Sequence, residues 1–229
     1  MVEVSLGKMA QMQLEDLGKS IVVISPHDDD GIIGCAGILS DLSQKNARTY
    51  VLIMTDGSLG YSSVQEKSTI KETRRREAES AYKLVGAKPF FLDFADMNLK
   101  PYASWEMANG KDGAYKKVLK ILREVRPKTV FIPNPLDWHP DHQASFDIGL
   151  SISNLAAVPA VADFGEPIDL GSIFCYKVWD ELAKVTHTHK LSQQAQKTKA
   201  SAISEFGSQR NILKGVTLEL RKELFQKLK

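Results

Sequence analysis

Two stretches more than a hundred residues apart combine histidine with aspartate: Ser25-Pro26-His27-Asp28-Asp29-Asp30-Gly31 and Asn134-Pro135-Leu136-Asp137-Trp138-His139-Pro140-Asp141-His142. Taken alone, the first reads as a polar helix start, since aspartate is a good N-cap and carboxylates suit the positive end of a helix dipole. Three consecutive carboxylates nonetheless repel one another unless a cation compensates them, and a divalent metal would do so. Two imidazoles and a carboxylate, with the remaining positions left to water, form the open site expected of catalytic zinc or another divalent ion. Zinc lowers the pKa of a bound water to about 7. The clustered groups number more than three, so some are free to take a proton or to stabilise charge on oxygen. Cys35 and Cys175 fall in apolar segments without CxxC spacing, so neither a disulfide framework nor a thiolate site is expected.

The elements that must bring these stretches together are short β-branched runs at 21–24, 50–54, 90–93 and 129–133, each followed by a segment with helical spacing. The predicted helices are 31–44, 66–85, 114–125 and 142–155, with Gly86 and Arg126-Pro127 as stops. A weaker strand reads through 172–178 and another through 183–189; the tail from Leu191 reads as helical, with a break near Gly207. Strands alternating with helices predict an α/β fold, a Rossmann-like three-layer αβα sandwich with a mostly parallel sheet. Ligands then bind beyond the carboxyl ends of the strands, where Thr55-Asp56-Gly57 and Asp93-Phe94-Ala95-Asp96 add further polar groups.

These motifs resemble the PIG-L/LmbE-like family of zinc-dependent N-acetylglucosaminyl de-N-acetylases. His27-Asp28-Asp29-Asp30-Gly31 is similar to the family's His-Pro-Asp-Asp-Glu segment with two departures, Asp28 for proline and Gly31 for glutamate, and His139-Pro140-Asp141-His142 matches its second signature completely. Thr55-Asp56-Gly57, Arg74-Arg75-Arg76-Glu77-Ala78, Phe91-Leu92-Asp93-Phe94-Ala95-Asp96, Arg126-Pro127-Lys128-Thr129-Val130 and Lys199-Ala200-Ser201-Ala202-Ile203 with Ser208-Gln209 extend the likeness over roughly residues 20–210. The resemblance implies one zinc per chain held by His27, Asp30 and His142, and Asp29 as general base. It implies His139 as oxyanion stabiliser or proton donor, oriented through a hydrogen bond with Asp141, and Arg74 and Asp96 as sugar contacts. The implied reaction releases acetate from an N-acetylated amino sugar or its conjugate, and the implied assembly is a trimer or hexamer built through the tail and residues 157–171. Asp28 is expected only to tune its loop, and Phe206 stands where many relatives have histidine.

Several features carry competing readings. A triple-arginine run more often forms a solvated face, and Arg76 offers a second register for the role given to Arg74. The glycines of 31–37 lack GxGxxG spacing and read as close helix-to-sheet packing. Thr186-His187-Thr188-His189 admits a second metal site or a plain surface strand, Tyr102 and Trp105 admit sugar stacking or loop packing, and the turn-rich 157–171 reads as a lid or a subunit contact.

Length and charge bound the remaining classes. At 229 residues, 43% hydrophobic and 25% charged, the chain is expected to form a single domain over 1–229, with a core of about 20–210 and a basic helical tail over 191–229. The net charge of +2 gives no general preference for nucleic acid or an anionic membrane. It divides as +6 over residues 190–229 (nine Lys/Arg, three acids) and −4 before them, the basic tail reading as a solvated face. The amino terminus lacks the apolar core of a secretory signal and no run is long enough to span a bilayer, so a soluble, cytoplasmic protein with a small-molecule partner is expected. Two alternatives stay open: a metal-dependent hydrolase of another amide, ester or phosphoester, and a non-enzymatic sugar-binding member.

Overall fold

Ile21 to Ile24 and Val51 to Met54 are wholly buried apolar runs, the pattern of parallel strands covered on both faces. In the computed structural model, which describes residues 9–216 and 218–229, they form two neighbouring interior strands of one eight-stranded sheet. Residues 1–8, which hold most of the amino terminus read above, lie outside the described residues. The strands are β1 (Ala10–Gln11), β2 (Ser20–Ser25), β3 (Arg48–Thr55), β4 (Ala87–Phe94), β5 (Thr129–Pro133), β6 (Ser172–Tyr176), β7 (His187–Lys190) and β8 (Lys222–Lys227). The helices are α1 (Asp30–Gln44), α2 (Ile70–Leu84), α3 (Ala114–Val125), α4 (Pro140–Ala156), α5 (Gln193–Ser204) and the short α6 (Arg210–Leu213).

The sheet order is β1-β7-β8-β6-β5-β2-β3-β4. The block from β6 to β4 is parallel, with Val23 of β2 opposite Val51 of β3 on one side and Phe131 of β5 on the other. Alternate residues feed two cores. Ile21 and Val23 pack with α1, α2 and α5, whereas Val22 and Ile24 pack with α3 and α4, giving the expected three-layer α/β sandwich. Chain order reverses between β2 and β5, a topological switch that opens a crevice at their carboxyl ends. Gly34 marks the close helix-to-sheet packing expected of that run: a Cβ there would collide with the Tyr176 ring.

The tail departs from the helical expectation. α5 and α6 form with a break near Gly207, but Lys222–Lys227 is a strand, antiparallel to both β6 and β7. Its alternating burial, with Glu223 and Phe225 inward, selects the sheet over a helix. Nor is the basic tail only a solvated face: Lys199 is buried, and its Nζ donates to Glu223 Oε1 at 2.7 Å. The predicted helix over 66–85 begins later, at Ile70, because Ser63 and Glu66 close a separate capped turn before it.

Residues 157–171 are not a lid. They leave the far end of α4 and lie along the flank of α3. There the Arg123 guanidinium donates to the carbonyls of Val158, Ala160, Val161 and Gly165. Tyr102 packs on Phe94 and Trp105 on Phe164, so both aromatics serve loop packing. His189 Nε2 pairs with Asp41 at 2.9 Å and His187 packs edge-on against Phe174, and among the described residues they join no metal-type cluster. Both cysteines are free and buried. No helix among the described residues is long and apolar enough to cross a membrane.

Candidate active site

The turn after β2 is tied by its own side chains. The Ser25 hydroxyl donates to the His27 carbonyl at 2.5 Å and accepts the Gly31 N–H at 2.9 Å. Asp30, the first residue of α1, takes the His27 backbone N–H on Oδ2 at 2.8 Å, a carboxylate placed where the helix dipole favours it. After β5, His139 is the N-cap of α4, its Nδ1 accepting the Asp141 N–H at 3.2 Å, and Pro140 fills the first helical position, where its missing N–H costs nothing. His142 therefore projects from the first turn of α4 toward the first turn of α1.

The two stretches meet on one oxygen. Asp30 Oδ2 lies 3.0 Å from His27 Nδ1 and 3.1 Å from His142 Nε2. The His27 and His142 rings are 5.3 Å apart, and His139 stands 4.6 and 5.1 Å from them. Donor atoms of His27, His139 and His142 lie within 4.8 Å of one another, as do those of His27, Asp96 and Asp141. His142 Nδ1 is engaged with Asp137 Oδ2 at 2.8 Å, which leaves Nε2 as the free ring nitrogen. That nitrogen is fully buried and, despite its short approach to Asp30, makes no hydrogen bond. A buried ring nitrogen 3.1 Å from a carboxylate oxygen calls for positive charge at that place, which a proton supplies without metal, and two imidazoles with a carboxylate are a donor set that fits a metal ion. Asp137 is the carboxylate behind the ligand-type histidine that metal sites regularly carry. Its position in the second His/Asp stretch carries no sign of this role, because its partner is recognisable only once α4 turns back on its own cap.

The charges follow from burial and proximity. Burial, only partly offset by the Arg74 charge and reinforced by Asp30 and Asp28, raises Asp29 to about 7. Burial also lowers His139, helped by the neighbouring His27 and His142, to about 4. His139 is thus neutral near pH 7, and since its Nδ1 accepts an N–H its proton sits on Nε2. Burial opposes protonation of His142, yet the Asp30 charge and the Asp137 hydrogen bond raise it to about 9. Against the same burial, hydrogen bonds with Asp141, Asp30 and Asp96 hold His27 well above the usual imidazole range.

Two expected contacts are drawn differently. The Asp141 carboxylate does not take a hydrogen bond from the His139 ring. It accepts the N–H groups of Met97 at 2.7 Å and Leu99 at 2.9 Å, and lies 3.5 Å from His27 Nε2. This clamp holds Met97 at φ 59°, a strained left-handed conformation, and so presents Asp96. Asp96 in turn lies 3.3 Å from His27 Nε2 and accepts the Leu59 N–H at 2.9 Å.

The second difference concerns the arginine run, where the register is settled for Arg74. It is 5% exposed, whereas Arg75 lies over Phe91 and pairs with Asp93, and Arg76 bonds only the Glu72 carbonyl on its own helix. Arg74 Nε donates to Asp28 at 2.8 Å, its Nη2 also reaches Asp28, and its Nη1 donates to Gln209 Oε1 at 3.0 Å. Asp28 therefore does more than tune a loop. Gly60 is required beside this guanidinium, since a Cβ there would collide with Nη1. At Gly31 the glutamate of the resembled pattern has no room, because a Cβ would come within 2.6 Å of the Tyr82 hydroxyl.

These residues open into a cleft of about 220 Å³. His27, Asp29, Asp30, Asp96 and His139 form its polar floor, and Leu59, Met97, Trp138, Trp179 and Ile212 contribute an apolar wall. The two tryptophans were not singled out in sequence, having no periodic neighbours. Gln209 enters because Glu77 of α2 takes the N–H and hydroxyl of Ser208, at 2.8 and 2.6 Å. Phe206 is buried in the core rather than in the cleft.

Residues 22–153 match the PIG-L family profile, described as GlcNAc-PI de-N-acetylase. The diacetylchitobiose deacetylase of Thermococcus kodakarensis is 30% identical over 146 residues, which are 62% of this chain and 51% of that protein. The chain spans about half the length of the curated relatives it matches. The solved N,N'-diacetylchitobiose deacetylase from Pyrococcus horikoshii superposes with a TM-score of 0.78 at 25% identity, covering 95% of this chain and 87% of that one. GalB, the 4-carboxy-2-hydroxymuconate hydratase of Pseudomonas putida, shares the fold with a TM-score of 0.70 at 16% identity, covering 93% and 97%. The architecture by itself therefore does not fix the reaction.

Proposed function

Given that this chain belongs to the PIG-L family, whose profile matches more than half of it, we propose that it is a zinc-dependent hydrolase that removes the N-acetyl group from an amino sugar or its conjugate. The observation that carries this reading is the meeting of His27 and His142 on Asp30 Oδ2, with His142 Nε2 buried and without a hydrogen-bond partner. Likeness to two diacetylchitobiose deacetylases supports the amide and the sugar.

In this reading His27, Asp30 and His142 hold the ion, a set of two imidazoles and one carboxylate suited to zinc. When bound, it supplies Lewis-acid polarisation of the acetyl carbonyl and a water acidic enough to react near neutrality. Asp29, buried in the cleft floor with its pKa raised to about 7, accepts the proton of the attacking water and returns it to the departing nitrogen. One water is consumed, the C–N bond breaks, and acetate and the amine leave. His139, neutral with its proton on Nε2, donates a hydrogen bond to the carbonyl oxygen as it gains charge, which is the preorganised stabilisation that such sites rely on. Asp137 and Asp141 act through others: the first orients His142, the second fixes the 96–99 loop against His27. Asp96 and Arg74 border the space left for the sugar.

The test is metal analysis combined with acetate release from N-acetylglucosamine and diacetylchitobiose. About one zinc per chain is expected. Asp29→Asn should keep the metal and lower kcat by at least a hundredfold, whereas His142→Ala should lose both. Near-full turnover by Asp29→Asn would overturn the assignment of the base.

A further inference from the structure

Arg74 is the only lysine or arginine among the described residues that line the cleft, and its charge is already compensated. Nε lies 2.8 and 3.0 Å from the two Asp28 oxygens, Nη2 donates to Asp28 and lies 3.4 Å from Asp29, and Nη1 donates to Gln209. The Arg74 and Asp28 side chains are 5% and 6% exposed, so water screens the pair little. Apart from the metal site at His27, which is cationic with a proton or an ion, the other formal charges facing the cleft are the carboxylates of Asp29, Asp30 and Asp96, and its wall is apolar. A proline in place of Asp28, as in the pattern that the sequence resembles, would leave Arg74 without this partner and free to meet an anion.

We propose that Asp28 is a specificity-determining residue: by neutralising Arg74 it closes the cleft to amino sugars that carry phosphate or sulfate, so that the substrate is an N-acetylated amino sugar with an uncharged remainder. This rests on the deacetylase reading for the reacting group and on the Asp28–Arg74 pair for the rest. Specificity of this kind comes from placing like charge and saturated donors against the wrong partner.

The zinc-loaded protein is assayed on methyl N-acetylglucosaminide and on its 6-sulfate, whose sulfate is a weak metal ligand. In parallel, calorimetry measures binding of the two corresponding free amines. Wild type should favour the uncharged member of each pair by at least tenfold. Asp28→Asn should raise the sulfated-to-neutral ratio of kcat/KM at least fivefold, mostly through KM, and Asp28→Asn with Arg74→Gln should return it to the wild-type value. Comparable handling of both sugars by wild type would overturn the proposal, as would an unmoved ratio in Asp28→Asn or a gain that survives loss of Arg74. If no acetate is released from either sugar, the deacetylase reading fails, and the calorimetric ratio still decides the charge selectivity.

Discussion

At the scale of single residues the site is a set of groups whose ordinary charges have been rearranged by each other. His27 is held well above the usual imidazole range and His142 reaches about 9. Both rings therefore carry protons at pH 7 without metal, and both must release them to serve as ligands. Zinc loading at pH 7 is accordingly expected to liberate protons, and apparent affinity should rise with pH from 7 to 9, by up to about tenfold per pH unit for each proton displaced. Calorimetric titration of zinc into chelator-stripped protein, in buffers of different ionisation heat at pH 6.5, 7.5 and 9, reads this directly. A flat profile would mean that these histidines are not the ligands. The sequence made His27, Asp29, Asp30, His139, Asp141 and His142 readable because each half of the site is contiguous. Asp28 and Gln209 were opaque for the opposite reason: their meaning lies in a guanidinium from α2, 46 and 135 residues away in the chain.

At the scale of elements, the parallel strands were readable because wholly apolar runs between turn signals admit one interpretation. β8 was not. Leu218 to Lys229 interleaves charge and apolar residues so that both a helical and a two-residue period fit, and what decides is tertiary: a slot between β6 and β7, and a buried partner for Glu223. That carboxylate accepts the N–H groups of Gly37 at 2.8 Å and Ile38 at 2.9 Å on α1, as well as the Lys199 ammonium of α5. It thereby joins the last strand to the helix whose first turn carries Asp30. Glu223→Ala removes all three bonds and strands a buried ammonium, which costs about 3–5 kcal/mol. We expect urea unfolding to show a loss of that size, with zinc affinity falling in parallel because α1 loses its tether. A loss under 1 kcal/mol would show that water reaches this pair.

At the scale of the whole molecule, two properties follow from the sheet's order. The switch between β2 and β5 sets the two His/Asp stretches side by side although the intervening chain adds three strands to the sheet, which is why convergence was deducible from topology alone. Moreover, β8 returns to a place between β6 and β7, and β1 adds to β7, so strands from early and late in the described residues close the same side of the sheet. On that basis we propose that the chain folds as one cooperative domain. The lid reading of 157–171 failed because a turn-rich sequence does not say which end of the sheet it serves; fastened by Arg123, that segment has an outward surface that includes Val158, 47% exposed. The tail adds Leu218, Leu220 and Leu228, each more than a third exposed. Exposed apolar side chains on these two segments are surface that an interface could cover, and we propose that they mediate the trimer or hexamer implied by the family likeness. Sedimentation equilibrium at micromolar concentration should give three or six chain masses, and calorimetry a single unfolding transition. Leu218→Glu with Leu220→Glu should dissociate the assembly. A monomeric profile for the unaltered protein would overturn the proposed assembly, and two separated transitions the one-domain organisation.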